Sequence, residues 1–132
     1  MGDLAGVWKH EKNENFDEFL QAMKVGMIPR KMASKQSPTI TITQSGDDFT
    51  MVTKGARTVE IKFKVGGTYK ENSPLEGKDY TMQANWDGKK LVTKNLDKPD
   101  GAITMREVTG GKLIVTQKIG DVTCRRIFAK KE

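Results

Sequence analysis

From Pro38 onward the chain alternates. Val59, Ile61, Phe63 and Val65 take turns with Glu60, Lys62 and Lys64. Tyr80, Met82, Ala84 and Trp86 likewise fall on one side, and Thr81, Gln83 and Asn85 on the other. A period of two is the mark of a strand whose faces meet different surroundings. TITIT and KLIVTQKI add runs rich in β-branched residues, which favour the extended chain. Glycine turns cut these runs about every ten residues, the beat of a hairpin meander. They are Ser45-Gly46-Asp47, Lys54-Gly55, Gly66-Gly67, Glu76-Gly77, Asp87-Gly88, Asp100-Gly101, Gly110-Gly111 and Gly120-Asp121. Glycine supplies the positive φ that tight hairpins need. Eight turns separate nine strands, and GVWKHEK near the start makes a tenth.

One stretch follows another period. In NFDEFLQAMKVG the residues Phe16, Phe19, Leu20 and Met23 recur at helical spacing. Asn15 is placed to cap this helix, with Glu18 three residues on, and Gly26 to stop it. Pro29 in MIPRKMASK suits a first helical turn. The pattern predicts two short helices, over about 16–24 and 28–35.

Strands joined only by hairpins leave two exposed edges, which closure into a barrel removes. The expected architecture is all-β: a ten-stranded up-and-down antiparallel barrel with a two-helix lid after the first strand. Residues 1–132 form a single domain, and neither a linker nor a low-complexity segment interrupts it. Ten strands enclose more space than eight. Threonines and arginines on candidate inner faces predict a cavity holding water and a ligand.

Charge and chemistry narrow the function. The net charge is +6 with charged residues at 30%, which admits nucleic acid, an anionic membrane surface or small anions as partners, or simply a solvated surface. Aromatics are only 7%, and Phe63, Tyr80 and Trp86 fall on the candidate core side. This argues against a basic barrel that stacks bases. One histidine and one cysteine, His10 and Cys124, leave too few ligands for a zinc site and no partner for a nucleophilic triad. No metal, cofactor or catalytic residue is expected, and Cys124 reads as a small wall residue. MGDLAGVWKHEK lacks the apolar core of a signal peptide, and Gly6 stands where a myristoylation signal wants Ser or Thr. With a single cysteine, these features predict a cytoplasmic protein.

One feature resists a simple core. DVTCRRIFAK reads as a strand, so one of Arg125 and Arg126 must share a face with Val122, Cys124 and Phe128. That one is Arg126. Its guanidinium is shaped for a carboxylate; the competing reading leaves it in solvent or paired with a structural acid.

The pieces GVWK, ENFDEF, FKVGGTY, ITMREV and KLIVTQKIGDVTCRRIF, in this order along nearly the whole chain, resemble the intracellular lipid-binding proteins. The likeness is closest to the cytosolic fatty-acid-binding proteins, with retinoid-binding proteins as cousins. The resemblance implies a monomeric, non-catalytic carrier with a long-chain fatty acid inside the barrel, under the helical lid. Transient contact with anionic membranes is a further implication, and nucleic acid is not an expected partner. A retinoic-acid binder of the same fold is the nearest alternative. In such proteins two arginines and a tyrosine hold the carboxylate. By position the arginines are Arg106 and Arg126, while Phe128 takes the tyrosine's place and removes a hydroxyl donor. Ligand-lining positions carry over to Phe16, Leu20, Val25, Pro38, Met51, Thr53, Val115 and Gln117. Lys24, Arg30, Lys31 and Lys35 become the portal and membrane-contact cations.

Overall fold

The computed structural model describes residues 2–73 and 77–131. β1 (Gly6–Glu14) is followed by α1 (Phe16–Ala22) and α2 (Met27–Ser34). The meander then runs β2 (Thr39–Ser45), β3 (Asp48–Lys54), β4 (Thr58–Lys64), β5 (Thr68–Ser73), β6 (Lys78–Asp87), β7 (Lys90–Asn95), β8 (Ile103–Thr109), β9 (Lys112–Ile119) and β10 (Val122–Lys130). All ten strands form one antiparallel sheet in the order β4-β3-β2-β1-β10-β9-β8-β7-β6-β5. Each meander strand pairs with its neighbour in sequence except across the β4–β5 turn, and β1 joins β2 on one side to β10 on the other. The sheet curls into a nearly closed barrel, with β4 and β5 at its two ends.

Hairpin chemistry accounts for the turns. Gly46, Gly88 and Gly120 all take positive φ, as do Gly110 and Gly111 of the β8–β9 turn. The helical segment departs from the expected boundaries. α1 ends at Ala22, and Lys24 takes a positive φ to turn the chain. Gly26 therefore does not stop α1; it stands in extended backbone at the start of α2. Asn15 does not cap α1 through its side chain. It sits at φ 62°, and its Nδ2 instead donates to the Thr123 carbonyl, 3.0 Å away on β10. A tie to the sheet has displaced the local cap.

Leu4, ahead of β1, and inner-face residues from both halves of the sheet meet in one core: Trp8, Ile42, Phe49, Met51, Phe63, Ala84, Leu91, Leu113, Val115 and Phe128. Aromatic rings bridge the β4–β5 gap where strand pairing does not. Phe63 stacks on Phe49 at 5.3 Å and on Tyr69 of β5 at 4.9 Å. The apolar stripe of α1 divides: Phe19 is buried, Phe16 and Leu20 are half-buried, and Met23 is exposed.

Removing Phe63 leaves a hole at the seam, so Phe63→Ala should cost about 3–5 kcal/mol of unfolding free energy. Val59→Ala, at an exposed position of the same strand, should stay within about 0.5 kcal/mol of the parent. Urea titration of both variants by tryptophan fluorescence checks the contrast.

Candidate functional site

Register places the two arginines. Arg126 on β10 faces Val115 on β9, Val115 faces Arg106 on β8, and Arg106 faces Leu91 on β7. Partners directly opposite one another share a face of the sheet. Val115 and Leu91 belong to the core, so both guanidinium groups project inward, their backbones about 10 Å apart across two strand spacings. Arg125 points the other way, is exposed, and lies 3.7 Å from Glu14.

Arg126 is held on three sides. Its Nε donates to Asn13 Oδ1 at 3.0 Å. Its guanidinium carbon lies 4.3 Å from the ring centre of Phe16 on α1 and 5.8 Å from that of Phe128. Both distances fall within reach of a cation–π attraction. Burial lowers its pKa, opposed by the field of Cys124. Arg106 reaches Thr93 Oγ1 at 3.4 Å, a long contact. Burial lowers its pKa too, opposed by the negative fields of Tyr69 and Glu71. No carboxylate among the described residues lies within ion-pair distance of either arginine.

Arg106 has acidic company at longer range. Glu71 on β5 is half-buried, and loss of hydration raises its pKa more than Arg106 lowers it. Tyr69 is pushed up to about 12, chiefly by burial and then by the charge of Glu71, while Arg106 and a hydrogen bond to Thr93 act against the rise. Arg106, Tyr69, Glu71 and Thr93 thus form a polar cluster beside the core residues Leu91 and Val115.

The other expected site residues lie on several elements. Met51, Thr53, Val115 and Gln117 stand on inner faces; Met51 and Val115 are buried, Thr53 and Gln117 half-buried. Phe16 and Leu20 come from α1, which lies against β10 and β9. Val25 is buried in the connection between the helices, and Pro38 is buried where the chain enters β2. Cys124 is a buried wall residue whose Sγ lies 3.7 Å from Gln117 Oε1. Among the described residues no cluster of His, Cys, Asp and Glu could hold a metal.

The four cations expected at a portal divide. Lys24, Lys31 and Lys35 are exposed. Arg30 is engaged: Nε donates to Asp17 Oδ1 at 3.1 Å and Nη1 to the Val25 carbonyl at 2.8 Å, clamping α2 to α1. Beside these exposed lysines α2 turns out Met27, Ile28 and Met32, which are 61%, 73% and 59% exposed. No residue of α2 is buried.

Sequence reasoning missed His10 and Asn13. Residues three apart on a regular strand face opposite ways. Between His10 and Lys12 the β1–β10 register shifts, so His10 pairs with Phe128 and Asn13 with Arg126, both inward. A bulge re-aims a side chain in just this manner. Strand alternation carries no signal for it. Glu71 and Tyr69 were missed for a different reason: TYKENS reads as a polar strand on both faces.

Residues 5–131 match the model of the lipocalin / cytosolic fatty-acid binding protein family. Sodium/calcium exchanger regulatory protein 1 of Doryteuthis pealeii is 36% identical over 97% of this chain and 96% of its own length. Cellular retinoic acid-binding protein 1 of Homo sapiens is also 36% identical, over 99% of this chain and all of its own. Among solved structures, a tyrosine-to-phenylalanine mutant of the REP1-NXSQ fatty acid transporter superposes with a TM-score of 0.89 at 36% identity, covering 98% of each chain.

Glu71 offers a test of the interior electrostatics. Its raised pKa means that the folded protein binds the proton more tightly than the unfolded chain. This contribution therefore favours folding at low pH and is lost as pH rises through the folded pKa. Glu71→Gln should accordingly raise the thermal midpoint of the ligand-free protein at pH 7. The gain should vanish once pH falls below the usual carboxylate range, about pH 4. Melting curves of both proteins across that range check the sign.

Proposed function

This chain belongs to the lipocalin / cytosolic fatty-acid binding protein family, and from that premise we propose that it is a non-catalytic, monomeric cytoplasmic carrier of a long-chain fatty acid. The acid lies inside the barrel with its carboxylate at Arg106 and Arg126. The observation that carries this reading is the inward row Arg126–Val115–Arg106, two cations without an ion-pair partner among the described residues. A guanidinium removed from water needs an anion or retained water. A ligand carboxylate supplies the anion, and Thr53 and Gln117 offer inward polar groups to which water could bridge.

The division of labour follows from magnitudes. Burying the acyl chain contributes roughly 0.8 kcal/mol per CH₂ before ordering costs, so the tail provides most of the affinity. The arginines provide the preference for acids over neutral lipids. Phe128 has no hydroxyl to add a third donor, and its ring lies near Arg126 instead. A retinoic-acid ligand remains the second reading, since one of the 36% identical relatives is named for that acid and the same arginines would take its carboxylate.

Arg126→Leu should weaken oleic acid binding by about 1.5–3 kcal/mol, the range for a hydrogen bond to a charged group, while oleyl alcohol binding should barely change. Displacement of a fluorescent probe by each lipid measures both, and retinoic acid in the same assay ranks the two readings. Equal losses for acid and alcohol would show that the arginine supports the fold rather than reading the head group.

The lid carries the second expectation. Exposed Met27, Ile28 and Met32 beside Lys24, Lys31 and Lys35 suit an anionic membrane surface, where apolar insertion and charge attraction add. Replacing the three lysines together by glutamate should slow transfer of a fluorescent fatty acid to vesicles containing phosphatidylserine. Affinity in solution should not move. Transfer at the parental rate would return the lysines to the role of a solvated surface.

A further inference from the structure

We propose that Asn13, oriented by His10, is the positioning residue that aims Arg126, and that this pair sets the discrimination between an acidic and a neutral lipid. The inference rests on the reading of Arg126 as a head-group cation and assigns what fixes its geometry.

Hydrogen-bond logic determines the arrangement. Arg126 Nε can only donate, so the atom of Asn13 facing it at 3.0 Å is the amide oxygen. The same oxygen lies 2.7 Å from His10 Nε2. It can only accept, so Nε2 carries the ring proton. One oxygen thus receives two donors and is pinned between them. With Nε committed to Asn13 and a face of the guanidinium under Phe16 at 4.3 Å, the two Nη groups are left for a ligand. A carboxylate must then approach the Nη pair end-on, in the forked geometry that suits it best.

A histidine here is otherwise unfavourable. Its Nδ1 is buried and has no hydrogen-bond partner among the described residues. That cost would be absent for a leucine or valine. What the ring contributes in return is its bond to Asn13 and an edge-on contact with Phe128, centres 5.4 Å apart at 73°. The bulge serves the same end, because without the register shift between His10 and Lys12 the two residues would lie on opposite faces. Two local irregularities, an unpartnered nitrogen and a bulge, converge on one guanidinium. This convergence separates a positioning role from ordinary packing.

The test compares His10→Leu, His10→Gln, Asn13→Asp and Arg126→Leu, each titrated with oleic acid and oleyl alcohol. The readout is the ratio of the two affinities, which a general loss of packing lowers for both lipids alike. His10→Leu should reduce the acid-to-alcohol ratio about tenfold, the scale of one hydrogen bond to a charged group. His10→Gln keeps an N–H near the Nε2 position and should restore the parental ratio. Asn13→Asp places a carboxylate at the Nε edge and should abolish the acid preference as fully as Arg126→Leu, although Arg126 is still present. If Arg126→Leu loses the preference while His10→Leu and Asn13→Asp keep it, the positioning inference is overturned and the head-group reading stands. Equal losses for His10→Leu and His10→Gln would overturn it too, since the ring's packing and not its N–H would then matter. If Arg126→Leu keeps the parental ratio, both readings fall together.

Discussion

Everything in this molecule hangs on the pairing of β1 with β10. Backbone groups at a sheet edge must find partners, and this junction joins the two halves of the meander into one surface. The same pairing sets His10 opposite Phe128 and Asn13 opposite Arg126. It also anchors the lid, because α1 leaves directly from the end of β1 and Asn15 donates to the Thr123 carbonyl at the start of β10. Without it Arg126 would lose Asn13, its Phe16 cover and its enclosure at once.

The two interior cations are supported by different means. Arg126 is braced by a direct hydrogen bond and an aromatic face. Arg106 has only a long contact to Thr93 and the fields of Tyr69 and Glu71. Burial depresses both pKa values, yet an arginine starts so high that both remain charged at physiological pH. The barrel therefore stores unbalanced positive charge in its interior, and it does so on a β8–β9–β10 wall of continuously paired antiparallel strands. Rigid strands hold the charges where a loop would let them swing out to water.

How much of this the sequence revealed depended on range. Alternation in TVEIKFK and YTMQANW made the strands plain, and glycine at the hairpins marked their ends. The inward direction of Arg126 followed from its sharing a face with Cys124 and Phe128. Hidden were features that the hydrophobic and polar pattern does not encode. Asn15 looks like a helix cap until Thr123 claims its amide. Gly26 looks like a helix stop until Lys24 turns the chain first. Asn13 looks as though it faces away from His10 until the bulge shifts the register. Arg30 looks like one more free lid cation until Asp17 and the Val25 carbonyl engage it. For Asn15 and Asn13 a partner on β10 overrode the local preference, and local patterns contain no information about such partners; at Lys24 and Arg30 the deciding contacts lie within or between the two short helices.

The β1–β10 closure also has a consequence for synthesis. β1 emerges from the ribosome well before β10, at about 5–20 residues per second. For those seconds the first strand carries an unpaired edge and α1 has no β10 wall to pack on. The hairpins of the meander can form as they appear, since their contacts are local, but the long-range joint must wait until Val122–Lys130 is free. The nascent chain is thus a growing open sheet with Arg106 still in water, and the barrel closes only as β10 arrives.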